Sequence, residues 1–102
     1  MPFRSLGLDD RIHQAIKEAG YTEPTPIQTA AIPEVLANRD VIGIAQTGTG
    51  KTAAFVLPIL HHLAQRIGAD ANRRGTRALV VAPTRELVMQ IEENVRAYAK
   101  HL

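Results

Sequence analysis

A run of small and polar residues at 45–52, Ala-Gln-Thr-Gly-Thr-Gly-Lys-Thr, constrains the fold more than any other part of the chain. It follows a short β-branched segment at 41–44, which is typical of a strand. It leads into residues 51–67, where aliphatic side chains recur at spacings of three and four, a pattern that predicts a helix. The sequence therefore predicts a strand that enters a helix through a tight, glycine-rich loop.

A second strand is predicted at 78–82, because Ala-Leu-Val-Val-Ala is a continuous apolar run of the kind that is buried on both faces of a sheet. The strand, helix and strand form a βαβ unit, which implies a parallel pair joined by a right-handed crossover. Two strands are too few to cover such a sheet. We therefore expect an incomplete α/β domain with about two parallel strands and flanking helices.

Local start and stop signals predict two helices before the glycine-rich loop. The first spans 9–19, where Asp9 serves as the cap and Gly20 ends the helix. The second begins near Thr25, with Pro26 at its first helical position.

Prolines and a further cap complete the helix prediction. Pro33 is expected to break the second helix into two short ones, and Pro58 is expected to kink the helix at 51–67. Thr84 is expected to cap a last helix, whose apolar stripe ends at Tyr98.

The composition is that of an ordinary globular domain, 45% hydrophobic and 22% charged. The chain has no cysteine, which excludes disulfides and cysteine-based metal sites and fits a reducing compartment. No secretory signal is visible, and no apolar run approaches the roughly 18 residues that span a bilayer. We therefore expect a cytoplasmic protein with no membrane association. The net charge of +2 permits contact with nucleic acid without establishing it.

The loop at 45–52 matches the Walker A phosphate-binding pattern, with an alanine in place of the first glycine. Gly48 and Gly50 allow the backbone to curl so that successive N–H groups point inward, and the positive end of the next helix faces the same spot. Lys51 is expected to reach the β- and γ-phosphates, and Thr52 is expected to offer its hydroxyl to Mg²⁺. The alternative is a glycine turn that merely joins a strand to a helix.

Gln28 has two interpretations from the residues alone. Its amide has the donor and acceptor needed to pair with the edge of adenine. Thr25-Pro26-Ile27-Gln28 is also a capping box, in which the glutamine stabilises a helix start. Local sequence favours the cap.

Three motifs, in order along the chain, resemble those of the DEAD-box RNA helicases. Residues 20–28, Gly-Tyr-Thr-Glu-Pro-Thr-Pro-Ile-Gln, with Phe3 upstream, resemble the Q motif. Residues 45–52 resemble motif I, in which the first alanine is usual. Residues 83–87, Pro-Thr-Arg-Glu-Leu, resemble motif Ia. The segment 93–98 and the N-terminus look most like the bacterial RhlE-type branch.

The resemblance implies one site for ATP and one for RNA. The implied ATP-binding residues are Phe3, Tyr21, Gln28, Thr47, Gly48, Thr49, Gly50, Lys51 and Thr52. The implied RNA-binding residues are Pro83, Thr84, Arg85 and Glu86. Tyr21 would stack on the adenine ring and Gln28 would read its edge. Lys51 and Thr52 would also serve catalysis, with Thr52 binding Mg²⁺ that is held through ATP.

The resemblance also implies a place in a larger protein. Residues 1–102 would form the N-terminal portion of the first RecA-like domain, a P-loop NTPase fold, in an ATP-dependent RNA helicase. The 102 residues contain no Asp-Glu-Ala-Asp and no Ser-Ala-Thr, so this chain is expected to be catalytically inactive by itself. Two alternatives stay open: a stand-alone nucleotide- or RNA-binding module, and a fragment of another P-loop ATPase. The sequence identifies no protein partner.

Overall fold

The computed structural model describes residues 3–46, 48, 50–65 and 77–102. Within these ranges, a 3₁₀ helix at Phe3–Leu6 precedes four α-helices: α1 (Asp10–Glu18), α2 (Pro26–Leu36), α3 (Lys51–Gln65) and α4 (Arg85–Tyr98). None of these helices is both long and apolar enough to cross a membrane.

The first helix forms as predicted, because both of its ends are capped. The Asp9 side chain accepts a hydrogen bond from the backbone N–H of Arg11 at 2.8 Å, which satisfies one of the free donors at the start of α1. Gly20, at φ +90°, ends the helix and donates its N–H to the Lys17 carbonyl at 3.0 Å. Glycine is favoured there because a side chain strains this left-handed backbone.

The prediction that Pro33 divides the second helix is wrong, because α2 continues through it. Proline removes one backbone hydrogen bond from a helix. Pro33 lies on the exposed side of α2, whereas its neighbour Ile32 is fully buried, so packing of the inner face outweighs the missing bond. Helix α3 begins at Lys51 as predicted and continues through Pro58, and the kink at Pro58 stays a prediction.

The core lies where the helices meet, and the largest helix–helix contact joins α2 to α3. Its buried side chains are mostly aliphatic: Phe3, Leu6, Leu8, Ile12, Ile16, Ile32, Ala53, Val56, Leu57, Leu60, Ile91 and Tyr98. Full burial of one such large side chain contributes about 1.5–3 kcal/mol. This packing holds the starts of α2 and α3 side by side, and both starts carry predicted site residues.

A polar contact that the sequence did not indicate ties α1 to α3. The backbone N–H of Asp9 donates to Nδ1 of His61 at 2.9 Å, and the Gln65 amide donates to the Asp9 carboxylate at 3.1 Å. Burial, followed by the nearby His62, lowers the pKa of His61, which favours the neutral ring that this acceptor role requires. We regard the contact as a structural link between the two helices.

The two predicted strands are not confirmed. Residues 41–46 and 77–82 have no regular secondary structure, and no strand occurs in the ranges that the structure describes. The side chains of Ile42 and Leu79 are 92% and 82% exposed. A strand requires hydrogen bonds to a neighbour, and apolar strand residues require a covering layer, so the parallel sheet remains a prediction.

Candidate functional site

The predicted phosphate loop leads directly into the first residue of α3. Gly48 and Gly50 have φ of +85° and +82°, the left-handed conformation that a curled loop needs. Lys51 is exposed at the start of α3, and Thr52 beside it is half-buried. The loop therefore presents a lysine, a hydroxyl and the positive end of a helix on one side. Thr47 and Thr49, which were also predicted to bind ATP, lie outside the described residues.

Gln28 forms the predicted capping box at the start of α2. The backbone N–H of Thr25 donates to Gln28 Oε1 at 2.9 Å, and the N–H of Gln28 approaches the Thr25 hydroxyl at 3.5 Å. The Gln28 residue is only 6% exposed. These contacts explain the local conformation and leave the proposed contact with adenine untested.

The same amide also reaches across to the phosphate loop. Gln28 Nε2 donates a hydrogen bond to the carbonyl of Gly50 at 3.1 Å. That carbonyl also accepts the first hydrogen bond of α3, from the N–H of Ala54 at 3.2 Å. One buried side chain therefore joins the start of α2 to the start of α3.

This contact explains why position 50 is a glycine. A Cβ atom at Gly50 would overlap Gln28 Nε2 and would lie 3.3 Å from Gln28 Cδ. It would also meet the Thr25 methyl at 3.4 Å. The position thus requires glycine both for its backbone conformation and for the close approach of Gln28.

A single cavity of about 770 Å³ brings most of the predicted ATP-binding residues together. Its lining includes Phe3, Tyr21, Gln28, Gly48, Gly50, Lys51 and Thr52. The volume falls within the usual range for small-molecule sites, about 300–1,000 Å³. Residues predicted from separate motifs are therefore neighbours in the fold.

Tyr21 contacts a second tyrosine that the sequence analysis did not assign to the site. The rings of Tyr21 and Tyr98 lie 6.5 Å apart, tilted by 54°. Tyr98 also lines the cavity, but its place on the apolar stripe of α4 indicated only a core residue. The one sequence signal was its hydroxyl, because a buried tyrosine usually seeks a polar partner.

The predicted RNA-binding residues lie on an exposed helix start, unlike the predicted ATP-binding residues that line the cavity. Thr84 caps α4, accepting a hydrogen bond from the N–H of Leu87 at 3.2 Å. Arg85 and Glu86 follow in the first turn, and all of the predicted residues from Pro83 to Glu86 are exposed. Pro83 alone among them lines the cavity. The geometry is that of a solvated helix start, and its contact with RNA is untested.

The predicted metal ligand in this region is one hydroxyl. Among the residues that the structure describes, no group of three or more His, Cys, Asp or Glu side chains could hold an ion. Thr52, whose hydroxyl is the predicted Mg²⁺ ligand, lines the cavity beside Lys51.

Comparison with known proteins identifies the family of this chain. A model of the DEAD/DEAH box helicases matches residues 25–102. DEAD-box ATP-dependent RNA helicase RhpA of Helicobacter pylori is 50% identical over 99 residues, covering 97% of this chain and 19% of that protein. ATP-dependent RNA helicase SrmB of Escherichia coli is 48% identical over 100 residues, covering 97% of this chain and 22% of that protein. The chain thus spans about a fifth of the length of these relatives.

Solved structures agree with this assignment. The RNA-helicase Prp28 from Chaetomium thermophilum bound to ADP matches with a TM-score of 0.82 and 48% identity, over 97% of this chain and 24% of that chain. S. cerevisiae Dbp5 bound to RNA and ADP BeF3 matches with a TM-score of 0.85 and 35% identity, over 99% of this chain and 25% of that chain. The described residues therefore share the fold of the corresponding part of these helicases.

The comparisons test the resemblance at the level of the family. Relatives from the bacterial branch include SrmB and DeaD, whereas the finer RhlE-type assignment remains a prediction. The family model covers well over half of the sequence, including the residues of motif I and motif Ia. This chain belongs to the DEAD/DEAH box helicase family.

Proposed function

We propose that residues 1–102 are the ATP-binding N-terminal portion of the first RecA-like domain of a DEAD-box RNA helicase. The whole protein would couple ATP binding and hydrolysis to local unwinding of RNA duplexes. One observation carries the proposal: Gln28 at the start of α2 is hydrogen bonded to Gly50 at the start of α3. The segment resembling an adenine reader and the segment resembling a phosphate loop therefore line one cavity.

The phosphate end of the site would use the start of α3. Lys51 supplies a positive charge that is exposed to the cavity, and the first N–H groups of α3 add donors that the helix itself leaves unused. Gly48 and Gly50 allow the loop to wrap a phosphate closely. Thr52 would bind Mg²⁺, which neutralises phosphate charge when bound.

The base end of the site would use Gln28 and Tyr21. The amide oxygen of Gln28 accepts from Thr25 and the amide nitrogen donates to Gly50, which fixes the orientation of the group. One lone pair and one N–H remain, enough to accept from the adenine amino group and donate to N7. Reading the base is thus compatible with the capping box. Guanine carries an oxygen in place of that amino group, so the same amide meets a second acceptor.

The start of α4 would contact RNA. Thr84 and Arg85 are exposed at a helix N-terminus, where backbone N–H groups and a guanidinium suit phosphate oxygens. The S. cerevisiae Dbp5 structure was determined with both RNA and ADP BeF3, which supports a fold of this kind holding both ligands. Contacts to phosphates would bind RNA without reading its sequence.

The absence of Asp-Glu-Ala-Asp from the 102 residues favours binding without turnover for this chain by itself. Phosphoryl transfer requires groups that organise the metal and the attacking water, and their loss removes most of the electrostatic stabilisation. The second candidate is therefore a module that binds nucleotide or RNA and does not hydrolyse ATP. We expect no RNA-stimulated ATPase from the chain alone.

Calorimetric titration of the purified chain with ATP tests the proposal. Lys51→Ala should weaken ATP by about tenfold to a hundredfold, because it removes a charged hydrogen bond to phosphate. Lys17→Ala, which removes an exposed lysine from α1, is the matched control and should leave the affinity unchanged. Failure of the unaltered chain to bind ATP, or equal affinity in Lys51→Ala, would refute the proposal.

A further inference from the structure

The backbone of Tyr21 is fixed by the end of α1. Its N–H donates to the carbonyl of Ile16 at 3.1 Å, and the Gly20 N–H donates to Lys17 at 3.0 Å, which together form a Schellman motif. The position of the Tyr21 Cα atom is therefore set by helix geometry. Its side chain has no such constraint from the backbone.

The Tyr21 residue is 52% exposed, which suits a ring that would stack on a ligand but leaves the ring free to change rotamer. An exposed aromatic side chain loses this freedom when a ligand orders it, and that loss weakens binding. A neighbour that already holds the ring in the binding orientation reduces the loss.

Tyr98 is such a neighbour. It is the last residue of α4, it is only 5% exposed, and its ring centroid lies 6.5 Å from that of Tyr21 at an interplanar angle of 54°. This tilted arrangement lies within the favourable range for aromatic pairs. One rigid, buried ring therefore packs against one exposed ring.

Tyr98 lies in a buried environment beside the ring of Tyr21. Burial raises the pKa of Tyr98 to about 12, and the neighbouring Tyr21 acts in the same direction. The contact that the structure shows between the two residues is the one between their rings.

We propose that Tyr98 is a positioning residue for the nucleotide site: it holds the Tyr21 ring in the orientation that stacks on the base. This role rests on the proposed function, since it requires Tyr21 to contact adenine. It concerns the base, because Tyr98 acts through the ring of Tyr21, whereas the phosphates would be held at the start of α3. Tyr98 should therefore affect ligands that carry adenine and should not affect ligands that carry only phosphates.

Titration of the chain with ATP and with inorganic triphosphate separates the two effects. Tyr98→Leu keeps an apolar side chain but removes the ring, and should weaken ATP by about twofold to tenfold while leaving triphosphate unchanged. Tyr98→Phe keeps the ring and the volume, removes only the hydroxyl, and should retain most of the affinity. Val95→Ala removes packing one turn earlier on α4 and should weaken neither ligand.

Tyrosine NMR supplies a direct readout, because the chain contains two tyrosines and no tryptophan. Tyr98→Phe assigns the two sets of ring signals. Saturating ATP should shift the Tyr21 ring signals through stacking, and the shift should be smaller in Tyr98→Leu. A second substitution of Tyr98 in a Tyr21→Leu background should cause no further loss of ATP affinity.

The outcomes separate this role from the proposed function. Unchanged ATP affinity in Tyr98→Leu, equal weakening of ATP and triphosphate, or additive losses in the double variant would overturn the role of Tyr98 alone. Absence of ATP binding by the unaltered chain would overturn the proposed function and this role with it. If Tyr98→Leu fails to fold, Tyr98→Phe provides the test. Wild-type ATP affinity and an unchanged ATP-induced shift of the Tyr21 ring signals in Tyr98→Phe would support the ring contact. Loss of that shift would contradict it.

Discussion

Two helices of this chain begin with a threonine cap, and the two caps differ in what surrounds them. At the start of α2, Thr25 accepts from the N–H of Gln28 at 3.5 Å, and at the start of α4, Thr84 accepts from the N–H of Leu87 at 3.2 Å. Only the first cap has an amide side chain at the third position, which returns a hydrogen bond and reaches Gly50.

The residue three positions after the cap thus decides what the helix start does. A glutamine makes the start of α2 a buried anchor that is tied to a second helix, whereas a leucine leaves the start of α4 solvated and open to a ligand from outside. Substitutions around the first cap should therefore change stability and nucleotide affinity together. Substitutions around the second should leave nucleotide affinity unchanged, and should act on RNA binding.

The largest expected difference between α2 and α4 is in the free energy of unfolding, because a substitution on α2 can reach the core. Ile32→Ala, at a fully buried position on α2, should lower the free energy of unfolding by about 2–5 kcal/mol. Val88→Ala, at an exposed position in the first turns of α4, should change it by less than about 0.5 kcal/mol. Urea titrations of the two variants measure both values, and equal losses would contradict the contrast.

A methyl group at Gly50 should produce the next largest effect. Gly50→Ala combines backbone strain with overlap against Gln28, and should weaken ATP at least about tenfold. Gly7→Ala is the matched control, because Gly7 has a similar φ of +84° and a Cβ atom there would meet no described atom within 4 Å. The control should cost about 1–2 kcal/mol of stability from strain alone and leave ATP affinity intact. Equal ATP affinity in both variants would show that the Gln28–Gly50 contact does not contribute to ATP binding.

Removal of each cap should produce small effects on stability, and these effects should be equal in the two regions. Thr25→Ala and Thr84→Ala should each lower the free energy of unfolding by about 0.5–2 kcal/mol, as cap losses generally do. Only Thr25→Ala should also weaken ATP, because it removes the hydroxyl that accepts from the Gln28 backbone N–H and so loosens the helix start that carries the Gln28 side chain. Melting curves with and without ATP distinguish the two, and a matching loss of ATP affinity in Thr84→Ala would contradict the distinction.

The helices were predictable because their signals are local. Asp9, Pro26 and Thr84 mark helix starts through their own side chains, and each marks the observed start to within a residue. The prediction for Pro33 is wrong for the same reason: a local rule predicts a break, but the burial of the neighbouring Ile32 is a tertiary effect.

The contacts that assemble the candidate site could not be predicted from local sequence. Gln28 and Gly50 are 22 positions apart, and their hydrogen bond depends on how α2 packs against α3. The ring contact between Tyr21 and Tyr98 likewise depends on the packing of α4. The predicted strands at 41–44 and 78–82 would depend on hydrogen bonds to neighbouring strands, which their own sequence cannot specify.

Gln28 is proposed both to anchor the phosphate loop and to read adenine. Titration of ATP and GTP against the unaltered chain and Gln28→Ala tests this proposal most directly. Loss of the anchor should weaken both nucleotides, and loss of the base contact should weaken ATP further, by about tenfold, since an unmade buried hydrogen bond costs about 1–3 kcal/mol. We predict that the loss for ATP exceeds the loss for GTP by that factor, and equal losses would show that Gln28 is an anchor alone.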